Sequence, residues 1–146
     1  MKVLVVNGPN INFIGIREKE LYGTKTYNDL VNLIHEHSKK LGIDVEVFQS
    51  NHEGELIDKL QEAYFNHVDA IVINPGGFTH TSVSLMDAIK AISIKTVEVH
   101  LTDIDNREVF RKISYVSLVA DKTIKGKGFA SYTEALDYIK ESENKN

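Results

Sequence analysis

The stretch AIVINPGGFTHTS, residues 70–82, decides the fold of this chain. Its first four residues are apolar, as in a short strand that is buried on both faces. A glycine-bearing turn follows, and Ser82 precedes a run whose apolar residues recur at helical spacing. The stretch therefore predicts a strand at Ala70–Ile73 that leads through a tight turn into a helix over Ser82–Ile92.

Similar apolar runs occur on both sides of this stretch. Four of them have the length and composition of strands: Val3–Val6, Ile43–Phe48, Ile94–Val99 and Val116–Ala120. With Ala70–Ile73, they predict five short strands.

Helical patterns separate the predicted strands. Thr26 and Asp29 form a capping box that begins one helix, and Gly42 is placed to end it. Further helices are predicted around Leu56, Leu60 and Tyr64, over Asp105–Ser114, and after a second capping box of Ser131 and Glu134.

This alternation favours a parallel sheet with helices on both faces. We predict an α/β fold, a flavodoxin-like three-layer sandwich whose five-stranded parallel sheet has the order 2-1-3-4-5. A single domain spans residues 1–146, with a lid loop over about residues 11–23 and a frayed tail over about residues 141–146.

Composition excludes several classes of protein. The 146 residues include 17 basic and 21 acidic side chains, and the net charge of −4 argues against nucleic-acid and membrane-surface partners. The absence of cysteine excludes disulfides and cysteine-ligated metals. No apolar run approaches the ~18 residues of a membrane span, and MKVLVV is too short for a signal peptide. We expect a cytoplasmic protein.

Polar side chains follow the first four predicted strands. In such a sheet, ligands bind beyond the carboxyl ends of the strands, near the switch point beside the first strand. The residues found there carry amides, hydroxyls and imidazoles: Asn7 and Asn10; Gln49, Ser50 and Asn51; Asn74, Thr79 and His80; His100 and Thr102. We therefore predict a functional site at this edge.

The stretch TVEVHLTD, residues 96–103, contains an acid–base candidate. Residues two apart on a strand share a face, so Glu98 and His100 project together while Val97, Val99 and Leu101 face the other way. A carboxylate beside an imidazole orients the ring and raises its pKa, as a general acid near neutral pH requires. The alternative is a structural polar pair at a strand end.

The turn over residues 75–82 has two interpretations. The free backbone N–H groups at a helix start favour an anion, but the same residues are common as helix caps. The chain has neither a Walker A loop nor a GxGxxG dinucleotide motif. Histidine spacing is also poor for a metal, since His35 and His37 are two apart on a predicted helix. We expect no catalytic metal.

Two arginines follow the His100 strand. Arg107 and Arg111 are four apart, so on the predicted helix they share one face near the strand ends. Such a pair can bind a carboxylate or change the pKa of a neighbouring acid, or it can simply face solvent.

The loop NGPNINFIGIREKELYG, residues 7–23, carries Tyr22 and Arg17. For a phenol to act as a base near neutral pH, its pKa must fall from ~10 by about three units. Such a fall requires interactions that favour the phenolate by roughly 4 kcal/mol. One arginine about 4 Å away supplies on the order of 4 kcal/mol at an effective dielectric constant near 20. A tyrosinate on a closing lid is therefore feasible, and the alternative is a packing role for Tyr22.

Four motifs together carry a family resemblance: NGPNINFIGIREKELYG, QSNHEGELIDKL, NPGGFTHTSVSLMDAI and EVHLTDIDNREVFRKIS. The chain resembles the type II 3-dehydroquinate dehydratases from about residue 3 to the final helix. The resemblance implies a cofactor-free lyase that converts 3-dehydroquinate to 3-dehydroshikimate and water by anti elimination through an enolate. It also implies a dodecamer of four trimers that serves the shikimate pathway of aromatic amino acid biosynthesis, or alternatively quinate breakdown.

Site residues also follow from the resemblance, position by position. Tyr22 matches the base, Arg17 the lid arginine and Arg107 the arginine that keeps the tyrosine ionised. Asn10 matches the residue that holds a water at the enolate oxygen.

The resemblance also assigns the acid and the substrate contacts. His100 matches the acid that protonates the departing hydroxyl, and Glu98 matches its orienting carboxylate. Substrate-binding positions are matched by Asn74, His80 and Arg111 at hydroxyls, by the backbone amides of Leu101 and Thr102 at the carboxylate, and by Asp87 from a neighbouring subunit.

Two other classes share the predicted alternation of strands and helices. A receiver-type signalling domain would have acidic residues where Asn7 and Asn74 stand. A flavin-binding electron carrier would have a phosphate loop rich in serine and threonine in place of Asn-Gly-Pro-Asn at residues 7–10.

Overall fold

The computed structural model describes residues 1–16, 20 and 24–145. Its centre is one parallel sheet of five strands: β1 (Lys2–Asn7), β2 (Asp44–Gln49), β3 (Ala70–Asn74), β4 (Lys95–His100) and β5 (Lys122–Lys125). The strand order is β2-β1-β3-β4-β5, with Asn7 paired to both Gln49 and Asn74. The predicted order and parallel direction are confirmed.

Within the described residues, four helices cover the two faces of the sheet: α1 (Tyr27–Leu41), α2 (Glu53–Phe65), α3 (Val83–Ile92) and α4 (Ala130–Asn144). Val3 and Val5 pack with α1 and α4 on one face, while Leu4 and Val6 pack with α2 and α3 on the other. Successive residues of a strand point to opposite faces, so the apolar run of β1 fills both cores. The predicted three-layer sandwich is confirmed.

Two helix starts follow their sequence signals. Thr26 and Asp29 form the predicted capping box, and Gly42 ends α1 with a φ of 71°, a conformation that favours glycine. At α3, the Ser82 hydroxyl accepts a hydrogen bond of 2.9 Å from the Leu85 amide. The interpretation of residues 75–82 as a cap is therefore confirmed for this helix start.

The last predicted strand is wrong. Val116–Leu118 is a 3-10 turn whose Val116 is buried against α3, and the fifth strand is Lys122–Lys125. Only Ile124 is buried in this edge strand, so its sequence KTIK lacks the apolar run that marks a central strand.

The predicted helix over Asp105–Ser114 is also wrong. Two 3-10 turns, Ile104–Asn106 and Val109–Arg111, replace it. The Asp103 carboxylate accepts hydrogen bonds from the Asp105 amide and the Asn106 side chain, and these local bonds compete with helix formation.

The final helix differs from its prediction at both ends. It begins at Ala130, and Ser131 lies inside it, where its hydroxyl donates 2.9 Å to the His100 carbonyl instead of capping the helix. At the other end the helix continues to Asn144, so residues 141–144 are helical where the sequence predicted a frayed tail.

The loop after β1 is described as far as Ile16. A 3-10 turn over Ile11–Phe13 starts it, and Ile11 and Ile14 are buried in the α1 and α4 core. Arg17 and Tyr22 lie outside the described residues, so their predicted roles stay predictions. Across the described parts of the chain, no helix has both the length and the apolarity to cross a membrane.

Candidate active site

A cleft opens at the carboxyl ends of β3 and β4. Seven residues that the sequence predicted for the site line it together: Asn74, His80, His100, Leu101, Thr102, Arg107 and Arg111. Because the sheet is parallel, strands that are distant in sequence deliver their terminal residues to this one edge. The residues predicted for the site therefore lie together at one cleft, and their functional role stays a prediction.

Close approach of two loops shapes the cleft. A Cβ atom at Gly8 would lie 2.3 Å from the Pro75 carbonyl oxygen, and one at Gly76 would lie 2.8 Å from the Pro9 carbonyl oxygen. Both distances are shorter than van der Waals contact allows, so only glycine lets the loops after β1 and β3 meet here.

A wider hollow lies at the opposite edge of the sheet. It has a volume of about 310 Å³ and is lined by Lys2, Asp44, Glu46 and Asn66, among others. Its lining includes no imidazole or guanidinium. The chemistry of the lining therefore favours the carboxyl edge as the site.

Glu98 and His100 form a hydrogen-bonded carboxylate–imidazole pair on one face of β4, as the strand period predicts. His100 Nε2 lies 2.5 Å from Glu98 Oε2, and both side chains are buried. Val97, Val99 and Leu101 pack in the core on the opposite face, as expected for alternating positions of a strand. Because an ionised carboxylate only accepts hydrogen bonds, Nε2 carries the proton and Nδ1 is the nitrogen left for other partners.

Three hydroxyls surround the same carboxylate. Ser114 donates to Glu98 over 2.6 Å, Thr123 donates over 3.0 Å, and Ser117 donates to the second carboxylate oxygen. We refer to Ser114, Ser117 and Thr123 as the hydroxyl cage. The cage gives a buried anion the hydrogen bonds that burial takes away from water.

The cage and the imidazole set the charge of Glu98. Burial by itself would raise the pKa of this carboxyl, but the hydrogen bond and charge of His100, with the hydroxyls of Ser114 and Ser117, outweigh burial and lower the pKa to about 2. Glu98 is therefore an anion at neutral pH, oriented so that His100 keeps one tautomer.

Sequence reasoning missed all three cage residues. Ser114 closes the segment that was predicted as a helix, Ser117 lies in the segment predicted as a strand, and Thr123 belongs to the unpredicted strand β5. No spacing in the sequence relates them to Glu98. The pairing of Glu98 with Thr123 across β4 and β5 would have indicated one of them.

Part of the cleft wall is basic. Arg111 Nε lies 2.9 Å from the Glu108 carboxylate, and Arg107 Nε lies 4.0 Å from it. The two arginines thus lie close together, as predicted, although irregular turns rather than a helix place them.

His80 has a fixed orientation beside this wall. Its Nδ1 lies 2.7 Å from the Ile113 carbonyl oxygen. A carbonyl oxygen only accepts, so Nδ1 carries the proton and Nε2 is left for a ligand.

Three of the described residues that were predicted for the site do not line the cleft: Glu98, which contacts His100 of the lining, Asn10 and Asp87. Asn10 precedes Ile11 of the lining and has a left-handed backbone with a φ of 68°. Its backbone N–H donates a hydrogen bond to Asn51 Oδ1. Asp87 is exposed on α3, so its predicted role in a neighbouring subunit stays a prediction. Among the described residues, no group of three or more histidine and carboxylate side chains has the arrangement of a metal site.

The fold and the cleft define a class: an α/β protein of flavodoxin-like topology with a buried acid–base pair at the carboxyl edge of its sheet. The sequence profile of the Dehydroquinase class II family matches residues 1–140.

Individual relatives agree with this match. The chain is 52% identical to a 3-dehydroquinate dehydratase of Caldicellulosiruptor bescii over 96% of its own length and 97% of the relative's. It is 54% identical to the enzyme of that name from Clostridium acetobutylicum, over 96% of both chains. A type II dehydroquinase crystal structure from Butyrivibrio crossotus superposes with a TM-score of 0.94 at 52% identity, covering 95% of this chain and 97% of that one. The chain therefore belongs to the class II dehydroquinase family.

Proposed function

We propose that the protein dehydrates 3-dehydroquinate to 3-dehydroshikimate and water. Family membership over residues 1–140 supports the activity, as do relatives named for it at about half identity. The observation that carries the chemistry is the buried Glu98–His100 pair, 2.5 Å apart, beside a cleft that is also lined by two arginines.

The reaction removes a proton and a hydroxyl from adjacent carbons of a hydroxyketone. A base takes the α-proton, and the electrons of the broken C–H bond form an enolate. The enolate then collapses as the β C–O bond breaks, and an acid protonates the leaving oxygen so that it departs as water. The site must therefore offer a base, a donor for the enolate oxygen and an acid.

His100 is our candidate for the acid. Glu98 holds Nε2, so Nδ1 would give the proton to the leaving hydroxyl, and the anionic carboxylate would stabilise the ring while it is charged. Burial of both side chains supports this role, because an ion pair attracts more strongly in a site that excludes water.

Tyr22 is our candidate for the base, with Arg17 beside it on the lid. Both assignments come from the family resemblance and from the electrostatics of a phenol beside a guanidinium. Arg107 lies in the cleft, where its charge would favour the tyrosinate. Asn10 would hold the water that donates to the enolate oxygen.

The remaining cleft residues would orient the substrate. Asn74, His80 and Arg111 offer hydrogen bonds to its hydroxyls, and His80 Nε2 is free of the Ile113 contact. Leu101 and Thr102 would bind the carboxylate through their backbone amides. A negatively charged substrate suits this basic wall.

We also propose a dodecamer of four trimers in which Asp87 reaches the cleft of a neighbouring subunit. Phe110 and Leu118 support an assembly, because their side chains are 64% and 74% exposed beside the cleft segment. The mass of the particle in solution, measured by light scattering, tests this, and a monomer would contradict it.

The cellular role follows from the same reaction. We propose a cytoplasmic enzyme of the shikimate pathway, with quinate breakdown as the alternative, since both use this dehydration. Loss of growth without aromatic amino acids, after deletion of the chromosomal copy, would favour biosynthesis.

One assay tests the proposed activity. Product formation is followed by the ultraviolet absorbance of the conjugated enone, with wild type, Tyr22→Phe and His100→Ala. We expect both variants to fold and to lose roughly 10²- to 10⁴-fold in kcat, the range for a lost general acid or base. Wild type without turnover would refute the function, and near-normal rates in either variant would refute the assigned roles.

A further inference from the structure

A buried tyrosine joins the ends of two sheet strands. Tyr132, on α4, is fully buried, and its hydroxyl donates a hydrogen bond of 2.6 Å to Asn7 Oδ1 at the end of β1. The same hydroxyl accepts 3.0 Å from Asn74 Nδ2 at the end of β3. An amide oxygen only accepts and an amide nitrogen only donates, so the direction of both bonds is determined.

These bonds fix the side chain of Asn74. Its Oδ1 accepts 3.2 Å from the Gly76 amide while its Nδ2 donates to Tyr132. A flip of the carboxamide would exchange oxygen and nitrogen and break both bonds at once. Asn74 therefore presents one orientation to the cleft, with one N–H still available to an acceptor.

The chain of hydrogen bonds continues away from the cleft. Asn7 Nδ2 donates 3.3 Å to the Tyr27 hydroxyl, and Tyr27 is the first residue of α1. Burial raises the pKa of Tyr27, although the bond from Asn7 opposes this, so its hydroxyl keeps its proton.

We propose that Tyr132 is a positioning residue whose hydroxyl holds Asn74 in the orientation that binds substrate and links it, through Asn7, to Tyr27 at the start of α1. This proposal rests on the proposed dehydratase function. Nothing in the local sequence indicates the role, because Tyr132 is 58 residues from Asn74 and 125 from Asn7.

Tyr132→Phe removes the hydroxyl and keeps the ring. We expect KM for 3-dehydroquinate to rise about tenfold, the loss typical of one buried hydrogen bond, with a smaller change in kcat. The pH profile of kcat should keep its shape, because Glu98 and His100 are untouched. Tyr138→Phe is the matched control: Tyr138 lies on the same helix, half-buried, with its ring between Lys95 and Lys122, and should behave as wild type.

A double variant separates positioning from general loss of stability. If Tyr132 acts through Asn74, Tyr132→Phe combined with Asn74→Ala will be no slower than Asn74→Ala alone. Independent losses that multiply would overturn the proposal. Wild-type constants in Tyr132→Phe would also overturn it, and they would leave the dehydratase function standing.

Tyr27→Phe tests the outer end of this chain of hydrogen bonds, and it leaves the Tyr132 hydroxyl in place. We expect a two- to threefold fall in kcat/KM, because the weaker 3.3 Å bond is lost. Unchanged constants would overturn the part of the proposal that includes Tyr27. Wild type that does not turn over 3-dehydroquinate would overturn the function and this inference together.

Discussion

Two carboxylate–imidazole pairs in this molecule have similar lengths and very different surroundings. The Glu98–His100 pair spans 2.5 Å, with side chains 0% and 7% exposed. The His37–Asp137 pair spans 2.7 Å between α1 and α4, with side chains 25% and 46% exposed. The distance between the two groups therefore does not identify an acid–base site.

The surroundings make the difference between the two pairs. The hydroxyl cage binds Glu98 from behind and His100 borders the cleft, whereas His37 and Asp137 join two helices at the surface. Coulomb attraction is screened at an exposed pair and is strong at a buried one. The comparison teaches that burial and an adjacent cleft, rather than proximity, distinguish the pair that we propose as catalytic from a surface ion pair.

Matched substitutions of the two imidazoles should give the largest difference in kcat between the two pairs. His100→Gln removes the acid, so we expect kcat to fall on the order of 10³-fold. His37→Gln should leave kcat within a factor of two, because its ring is remote from the cleft lining. Steady-state rates with 3-dehydroquinate check both, and equal losses would refute the distinction.

The two carboxylates should differ by a smaller factor. Glu98→Gln keeps the shape of the side chain but leaves His100 without an anion, and we expect kcat to fall about 10²-fold. Asp137→Asn is the control and should retain wild-type kcat. A fully active Glu98→Gln enzyme would show that the buried charge is not needed.

Acid should destabilise the protein through Glu98. The folded pKa is lowered from 4.5 to about 2, so the stabilisation is complete above the unfolded value and is lost as pH falls from about 4.5 towards 2. The free energy of unfolding should fall by roughly 3 kcal/mol from this group. Urea titrations at several pH values test this, and Glu98→Gln should lack that part of the pH dependence.

The cage can be weakened without touching the pair. Ser117→Ala removes one donor to Glu98, and we expect kcat/KM to fall by about three- to tenfold, with a loss of about 1 kcal/mol in stability. Ser142→Ala is the control, since its hydroxyl bonds only to a backbone carbonyl within α4. Identical kinetics of Ser117→Ala and wild type would remove the cage from the mechanism.

The smallest expected effect is at the surface pair. Asp137→Asn should lower the free energy of unfolding by less than about 1 kcal/mol, because the partners are partly solvated. Added salt should reduce the difference further. Thermal unfolding measures it, and a loss of several kcal/mol would mean that the exposed pair contributes as much as the buried one.

Much of the fold could be predicted because central strands carry a local signal. β1 and β3 are buried on both faces and therefore appear as continuous apolar runs. The edge strand β5 carries no such run, and Val116, Val119 and Ala120 of the segment predicted as a strand pack with α3 instead. An edge strand is defined by its pairing with a neighbouring strand, and sequence periodicity carries no information about that pairing.

The site residues likewise divide into those that a local sequence pattern predicted and those that it did not. Glu98 and His100 were predicted as a pair because residues two apart on a strand always share a face. Arg107 and Arg111 were predicted to lie together for a reason that is wrong, since turns rather than a helix bring them to one wall. The hydroxyl cage was not predicted, because its residues come from segments of irregular or misassigned backbone.

The amino-acid sequence by itself determined the parallel sheet, the polar edge at the carboxyl ends of its strands, and the carboxylate–imidazole pair, because each depends on local periodicity and strand direction. Only the tertiary structure decided which hydroxyls hold Glu98 and that Tyr132 clamps Asn7 and Asn74. Those hydrogen bonds join residues that are far apart in the chain. Their geometry exists only after the helices have packed on the sheet and excluded water from its edge.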